Sequence, residues 1–111
     1  MDLQELVQHL KALSDPTRLS VFDMLMEGVQ CNCEISARLG LSLSLISHHT
    51  HILSKAGLIR RTRDPNDARW IYYSVDEAAL ARLDAAIGHL LDPNRIQPRQ
   101  PSCGPARCPS S

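Results

Sequence analysis

The chain has 111 residues, enough for one domain with a modest core. Its apolar fraction is 43% but only 4% is aromatic, so the core must rest on Leu, Ile, Val and Ala, a composition that favours helices. Twelve basic and twelve acidic residues cancel, which excludes a globally basic nucleic-acid binder and leaves any such site to local clustering.

The N-terminal stretch MDLQELVQHL lacks the basic and apolar regions of a signal peptide, and no run of 18 apolar residues occurs, so no membrane partner is expected. A cytoplasmic location is the corresponding expectation, with thiols kept reduced. Leu3, Leu6, Val7, Leu10 and Leu13 recur at three and four residues, which predicts a first amphipathic helix. In SDP at 14–16, Asp15 is a suitable N-cap and Pro16 suits the first helical position. A second helix through TRLSVFDMLMEG would turn Leu19, Phe22, Leu25 and Met26 inward and stop at Gly28.

After VQCN, a short helix over about 33–39 would end at Gly40, and a longer one over about 43–55 would close at Gly57. The longer helix places Ile46, His49, Thr50 and Leu53 inward, with Ser44, Ser47, His48, His51 and Lys55 outward. Two helices joined by a tight glycine turn, the second with a polar outer face, form a helix-turn-helix pattern. LIRRTR and RWIYYSV then flank the turn formers of DPNDA, which predicts a β-hairpin packed by Trp70, Tyr72 and Tyr73. Asp76 caps a last helix whose apolar stripe is Leu80, Leu83, Ile87, Leu90 and Leu91.

From Pro93 onward the composition turns proline-rich and irregular. The division expected is a DNA-binding and dimerisation domain over 1–92 and a flexible tail over 93–111 carrying Cys103 and Cys108. The fold class is mainly α with a β-hairpin, a winged helix-turn-helix. Paired carboxylates, a nucleophile motif and a phosphate-cradling glycine loop are all missing, so no enzyme is expected.

SDPTRLSVFDMLMEG, LSLSLISHHTHILSKAGLI and the hairpin ending in WIYYSV together resemble the ArsR/SmtB family of metal-responsive repressors, over about residues 3–92. The resemblance implies a winged-helix homodimer, joined through its first and last helices, that binds operator DNA and releases it when a toxic metal binds. CNCE is similar to family members that place a Cys-x-Cys pair at the start of the first helix of the helix-turn-helix. Three departures narrow the likeness. Ser36 stands where arsenite sensors of the best-known type carry a third cysteine. The N-terminus lacks the cysteines that cadmium sensors use, and Ala85 and Ala86 after Asp84 break the pattern of the family's zinc site, leaving only His89 on that helix.

Residues i and i+2 point about 200° apart on a regular helix. Cys31 and Cys33 therefore converge on one ion only if Cys31 lies before the helix and Cys33 in its first turn, with Asn32 as the N-cap between them. The helix N-terminus would favour the Cys33 thiolate, and a disulfide within the pair would be badly strained. Two thiolates are too few: arsenite takes three sulfurs, and cadmium or zinc typically takes four donors. Cys31 and Cys33 are thus expected to form half of a site that Cys103 and Cys108 complete, from the same subunit or its partner. Arsenite or antimonite is the expected inducer; Cd(II), Pb(II), Zn(II) or Hg(II) are alternatives, and thiol oxidation is the rival signal.

HHTH at 48–51 is read as part of a DNA-contacting face and not as a metal site. Arg60, Arg61, Arg63 and Arg69 cluster at the hairpin, where a wing can reach phosphates. Ser44, Ser47, His48, His51, Lys55, Arg61, Arg63 and Arg69 are the expected DNA-binding residues.

Overall fold

The spacing of leucines in the first segment produces α1 (Leu3–Leu13), capped by Asp2, whose carboxylate accepts the Glu5 amide at 2.7 Å. The computed structural model describes residues 1–98 and 101–104. Leu6, His9 and Ala12 of α1 are buried, while Leu3, Val7 and Leu10 form a second, exposed row at i, i+4 and i+7. Asp15 caps α2 (Pro16–Leu25), accepting the Arg18 amide at 3.0 Å, and Pro16 takes the first position, as the sequence predicts.

The inward face of α2 differs from the expected one. Val21, Phe22, Met24 and Leu25 are buried, whereas Leu19 and Met26 are 51% and 52% exposed. Val21, Met24 and Leu25 lie about 140–240° around the helix from Leu19, and Met26 returns to the Leu19 side. The core sits on the first set, so the second faces outward. A further element was not legible: Gln30–Cys31 forms a short strand, β1.

The helix-turn-helix follows as α3 (Asn32–Leu39) and α4 (Leu43–Lys55). Gly40 caps α3 in the left-handed region at φ 65°, which lets the chain turn sharply into α4. Ser42 then caps α4 by accepting the Leu45 amide at 3.1 Å. The predicted hairpin is β2 (Ile59–Arg63) and β3 (Ile71–Val75), antiparallel with Arg61 opposite Tyr73. β1 adds to the other side of β3, pairing Cys31 with Tyr72, so the sheet order is β1-β3-β2. Asp76 caps α5 (Glu77–Leu90) through the Ala79 amide at 3.0 Å, and a single 3₁₀ turn covers Pro93–Arg95.

Val21, Ile35, Ile46, Leu53, Leu58 and Tyr73 are at most 1% exposed and tie α2, α3, α4 and the sheet into one core. Each such side chain stabilises the fold by about 1.5–3 kcal/mol through burial. Of the predicted stripe on α5, Leu83 is buried, but Leu90 and Leu91 are 50% and 70% exposed. Trp70, expected to pack the hairpin, is 42% exposed, so the packing falls to Tyr73.

Candidate DNA-binding face and thiol site

α4 presents the two faces predicted for it. Ile46, Thr50 and Leu53 are buried, and the Thr50 hydroxyl is satisfied by donating to the Ile46 carbonyl at 2.6 Å. Ser44, Ser47, His48, His51 and Lys55 are all exposed on the opposite side. His49 is half-buried and looks back to α2: its Nδ1 lies 3.8 Å from the Asp15 carboxylate and 3.5 Å from Arg18 Nη1. Arg18 is held in turn, its Nε donating to the Ala12 carbonyl at 2.7 Å. One polar knot therefore fixes the α1–α2 corner against the recognition helix.

The wing is less uniformly basic than its arginine count suggests. Asp64 accepts the Asn66 and Asp67 amides at the tip, and the Tyr72 hydroxyl donates to it at 3.1 Å. These contacts, led by the Asn66 amide, hold the Asp64 carboxyl below its usual range. Arg69 is tied to Asp67 at 2.7 Å, and Arg60 lies 3.4 Å from Asp76. Arg63 donates to the Ala68 carbonyl at 2.9 Å. Arg61 is exposed on β2 with neither of these carboxylates beside it.

The thiol pair sits where β1 runs into α3. Cys31 has extended backbone and Cys33 lies in the first turn, the arrangement that lets both sulfurs approach one ion. Asn32 is not the cap. Cys31 itself fills that role: its Sγ accepts the Glu34 amide at 3.4 Å, and the Glu34 carboxylate accepts the Cys31 amide at 3.0 Å. This is a reciprocal capping box with sulfur in place of a hydroxyl. The C-x-x-E spacing in CNCE carried that signal.

Asn32 is instead buried, at 8% exposure, and clamps the hairpin. Its side-chain nitrogen donates to the Arg69 carbonyl at 3.3 Å, and its oxygen accepts the Ile71 amide at 3.4 Å. Cys31 is 7% exposed and Cys33 is exposed. Burial, reinforced by the Glu34 carboxylate, pushes the Cys31 thiol above its usual range. Conversely, the Cys31 amide holds the Glu34 carboxyl below its usual range.

Cys103 is exposed, and Cys108 lies outside the described residues. Among the described residues no three His, Cys, Asp or Glu side chains are gathered as a metal site. No helix among the described residues is long and apolar enough to cross a membrane.

A helix-turn-helix followed by a β-hairpin, with an exposed polar face on the second helix, defines a winged-helix DNA-binding protein. Residues 15–61 match the family model described as bacterial regulatory protein, arsR family. The transcriptional repressor SdpR of Bacillus subtilis is 37% identical over 70 residues, covering 63% of this chain and 74% of that protein. The arsenical resistance operon repressor of Staphylococcus xylosus is 35% identical over 66 residues, 60% of this chain and 64% of the repressor. A cadmium resistance regulatory protein, a CadC homolog of Staphylococcus aureus, is 31% identical over 74 residues, 66% of this chain and 59% of its own length. The crystal structure of an ArsR family transcriptional regulator superposes with a TM-score of 0.72 at 21% identity, covering 87% of this chain and 97% of the other. The chain belongs to the arsR family, and is thus a DNA-binding transcriptional regulator and not an enzyme.

Proposed function

We propose that the protein is a homodimeric repressor that releases operator DNA when Cys31 and Cys33, with thiolates of the 93–111 tail, capture arsenite or antimonite. The observation that carries this reading is the double role of Cys31, which is at once a candidate ligand and the cap of the first helix of the helix-turn-helix. When its sulfur becomes a ligand, Cys31 gives up the Glu34 amide. Asn32 and the β1–β3 pairing then carry the change to the hairpin.

The Cys31 and Cys33 thiols fit a soft, thiophilic ligand and would supply two of the three or four donors it needs. Cys103 and Cys108 would supply the remainder, from either subunit. What the inducer contributes is strong sulfur bonding; the protein residues do the rest. The relatives named for arsenical and cadmium resistance support a soft-element inducer of this kind. The Glu34 carboxylate beside Cys31 favours, as second reading, a divalent ion such as Cd(II), Zn(II) or Pb(II), for which oxygen is an acceptable donor.

Dimerisation would use the exposed row Leu3, Val7 and Leu10 of α1 together with Leu90 and Leu91 at the end of α5, apolar surface that a monomer leaves in water. In such a dimer the two α4 helices read successive major grooves about 34 Å apart. Ser44, Ser47, His48, His51 and Lys55 face the groove, and Arg61, Arg63 and Arg69 of the wing reach the backbone.

The test is fluorescence anisotropy on the protein's own upstream promoter DNA under strict reduction, titrated with arsenite and then cadmium. Release by arsenite supports the first reading; release by cadmium with little arsenite response transfers it to the divalent one. Tight binding that neither ion moves, but an oxidant does, overturns both.

A further inference from the structure

Beside the recognition helix lies a groove of about 580 Å³ walled by α1, the start of α2 and the C-terminal half of α4. Gln8 and Lys11 line it on the α1 side, Arg18 at the corner, and His51 and Lys55 on α4. No carboxylate is among its lining residues, although Asp15 interacts electrostatically with Arg18. In a chain whose charges sum to zero with histidine neutral, three cations, Lys11, Arg18 and Lys55, on one concavity are a local positive cluster that needs explaining.

Lys11 and Arg18 each have a plainer role as well. Lys11 lies in the last turn of α1, where a cation complements the helix dipole. Arg18 braces the α1–α2 corner. Neither role requires the side chains to share a groove with His51 and Lys55. The Arg18 guanidinium, moreover, donates through Nε to the Ala12 carbonyl at 2.7 Å and has Nη1 3.5 Å from His49 Nδ1, so it lines the groove in a set orientation. Donors held in this way bind phosphate without a further ordering cost.

The groove is continuous with the polar face of α4, since His51 and Lys55 belong to both. A duplex whose major groove receives α4 carries its sugar–phosphate strand past the C-terminal half of that helix. We infer that this groove seats one phosphodiester segment of the bound DNA, gripped by Lys11 and Arg18 from one side and Lys55 from the other. Lys11 and Arg18 thereby join the DNA-contacting residues, although they lie outside both the helix-turn-helix and the wing. The contact is to backbone and carries no sequence information; it sets the angle at which α4 enters the groove. The inference rests on DNA binding by the family and is independent of the thiol reading.

Lys11→Gln tests it, because this exposed side chain leaves no buried partner behind, and Lys11→Arg serves as the conservative variant. Anisotropy titrations on promoter DNA and on unrelated DNA of equal length, over a range of salt, give log K against log salt. Loss of one phosphate contact per subunit reduces the slope by about 0.9 per subunit. Affinity for both DNAs should fall by the same factor in Lys11→Gln and be retained in Lys11→Arg. Unchanged slope and affinity in Lys11→Gln overturn the proposal, as does a loss confined to promoter DNA. An unchanged slope with inorganic phosphate protecting Lys11 from acylation would give the groove to a small anion and also overturn it. Absence of DNA binding by the unmodified protein would instead remove the family reading on which the proposal stands.

Discussion

Cys31 and Cys33 are two residues apart and chemically unlike. Cys33 is exposed, while Cys31 is buried, capped onto Glu34 and held as the neutral thiol. Alkylation by iodoacetamide at pH 8, read by peptide mass spectrometry, should therefore modify Cys33 at least about tenfold faster than Cys31. A raised thiol pKa also fixes the sign of the pH dependence. Capture of a divalent ion such as Cd(II) by Cys31 would expel the thiol proton, so Cd(II) affinity should rise about tenfold per pH unit per protonated thiol displaced until pH exceeds the raised value. Arsenite, taken up as As(OH)3, would instead carry each thiol proton away as water and bind with little pH dependence. Cys31→Ser replaces a weak sulfur acceptor with a favoured capping hydroxyl. It should keep its melting temperature and DNA affinity while losing release by arsenite or cadmium in the anisotropy assay, and Cys33→Ser should lose release as well. The Cys-x-Cys pair and its placement across the helix start were legible in the sequence. The burial of Cys31 and the clamp by Asn32 were not, because both depend on β1, and a two-residue strand leaves no periodicity to read.

At the scale of elements, α1, α4, α5 and the hairpin follow directly from apolar spacing and capping residues. The outward turn of Leu19 and Met26 shows where that reasoning stops. α2 is packed on more than one side, so its buried arc is set by its neighbours and not by its own pattern. The wing shows the same limit: four arginines are visible in the sequence, but the pairing of Arg69 with Asp67 and Arg60 with Asp76 is not. Asn32 joins α3 to the hairpin, so Asn32→Ala should leave inducer binding intact yet reduce its effect on DNA affinity by about fivefold, or ~1 kcal/mol of coupling. Comparing inducer binding by thiolate charge-transfer absorbance with release by anisotropy separates the two. The caps predict acid behaviour. Asp15, Glu34 and Asp76 all have carboxyl pKa values lowered, chiefly by backbone amides they accept. The stability they confer is present above the ordinary carboxylate range and is lost as pH falls through their lowered values. Asp76→Asn, which keeps a capping side chain without the charge, should flatten that loss in urea titrations between pH 5 and pH 3 — a window set by the usual values of 3.8 for Asp and 4.5 for Glu.

For the whole molecule, the exposed apolar row on α1 and the last turn of α5 are the features that a solitary chain does not explain. Val7→Glu with Leu10→Glu should halve the mass in analytical ultracentrifugation and abolish operator binding, with helical circular dichroism retained. Leu53→Ala, by contrast, removes a fully buried side chain of α4 and should cost about 2–5 kcal/mol in urea denaturation. Ending the chain after residue 92 should leave folding and DNA binding unchanged and weaken the response to inducer, since the tail holds Cys103 and Cys108.

The sulfur cap of α3 has a consequence for the dose at which a cell would respond. A sensor whose ligand atom also closes a helix must surrender that closure whenever it is occupied, and the concentration giving half-maximal release rises by whatever factor the closure is worth. A hydroxyl or carboxylate cap would raise that threshold several-fold. Sulfur is a feeble acceptor, so under the proposed ligation by Cys31 the forfeit would be small, and release would begin at scarcer inducer than a better-capped helix would allow.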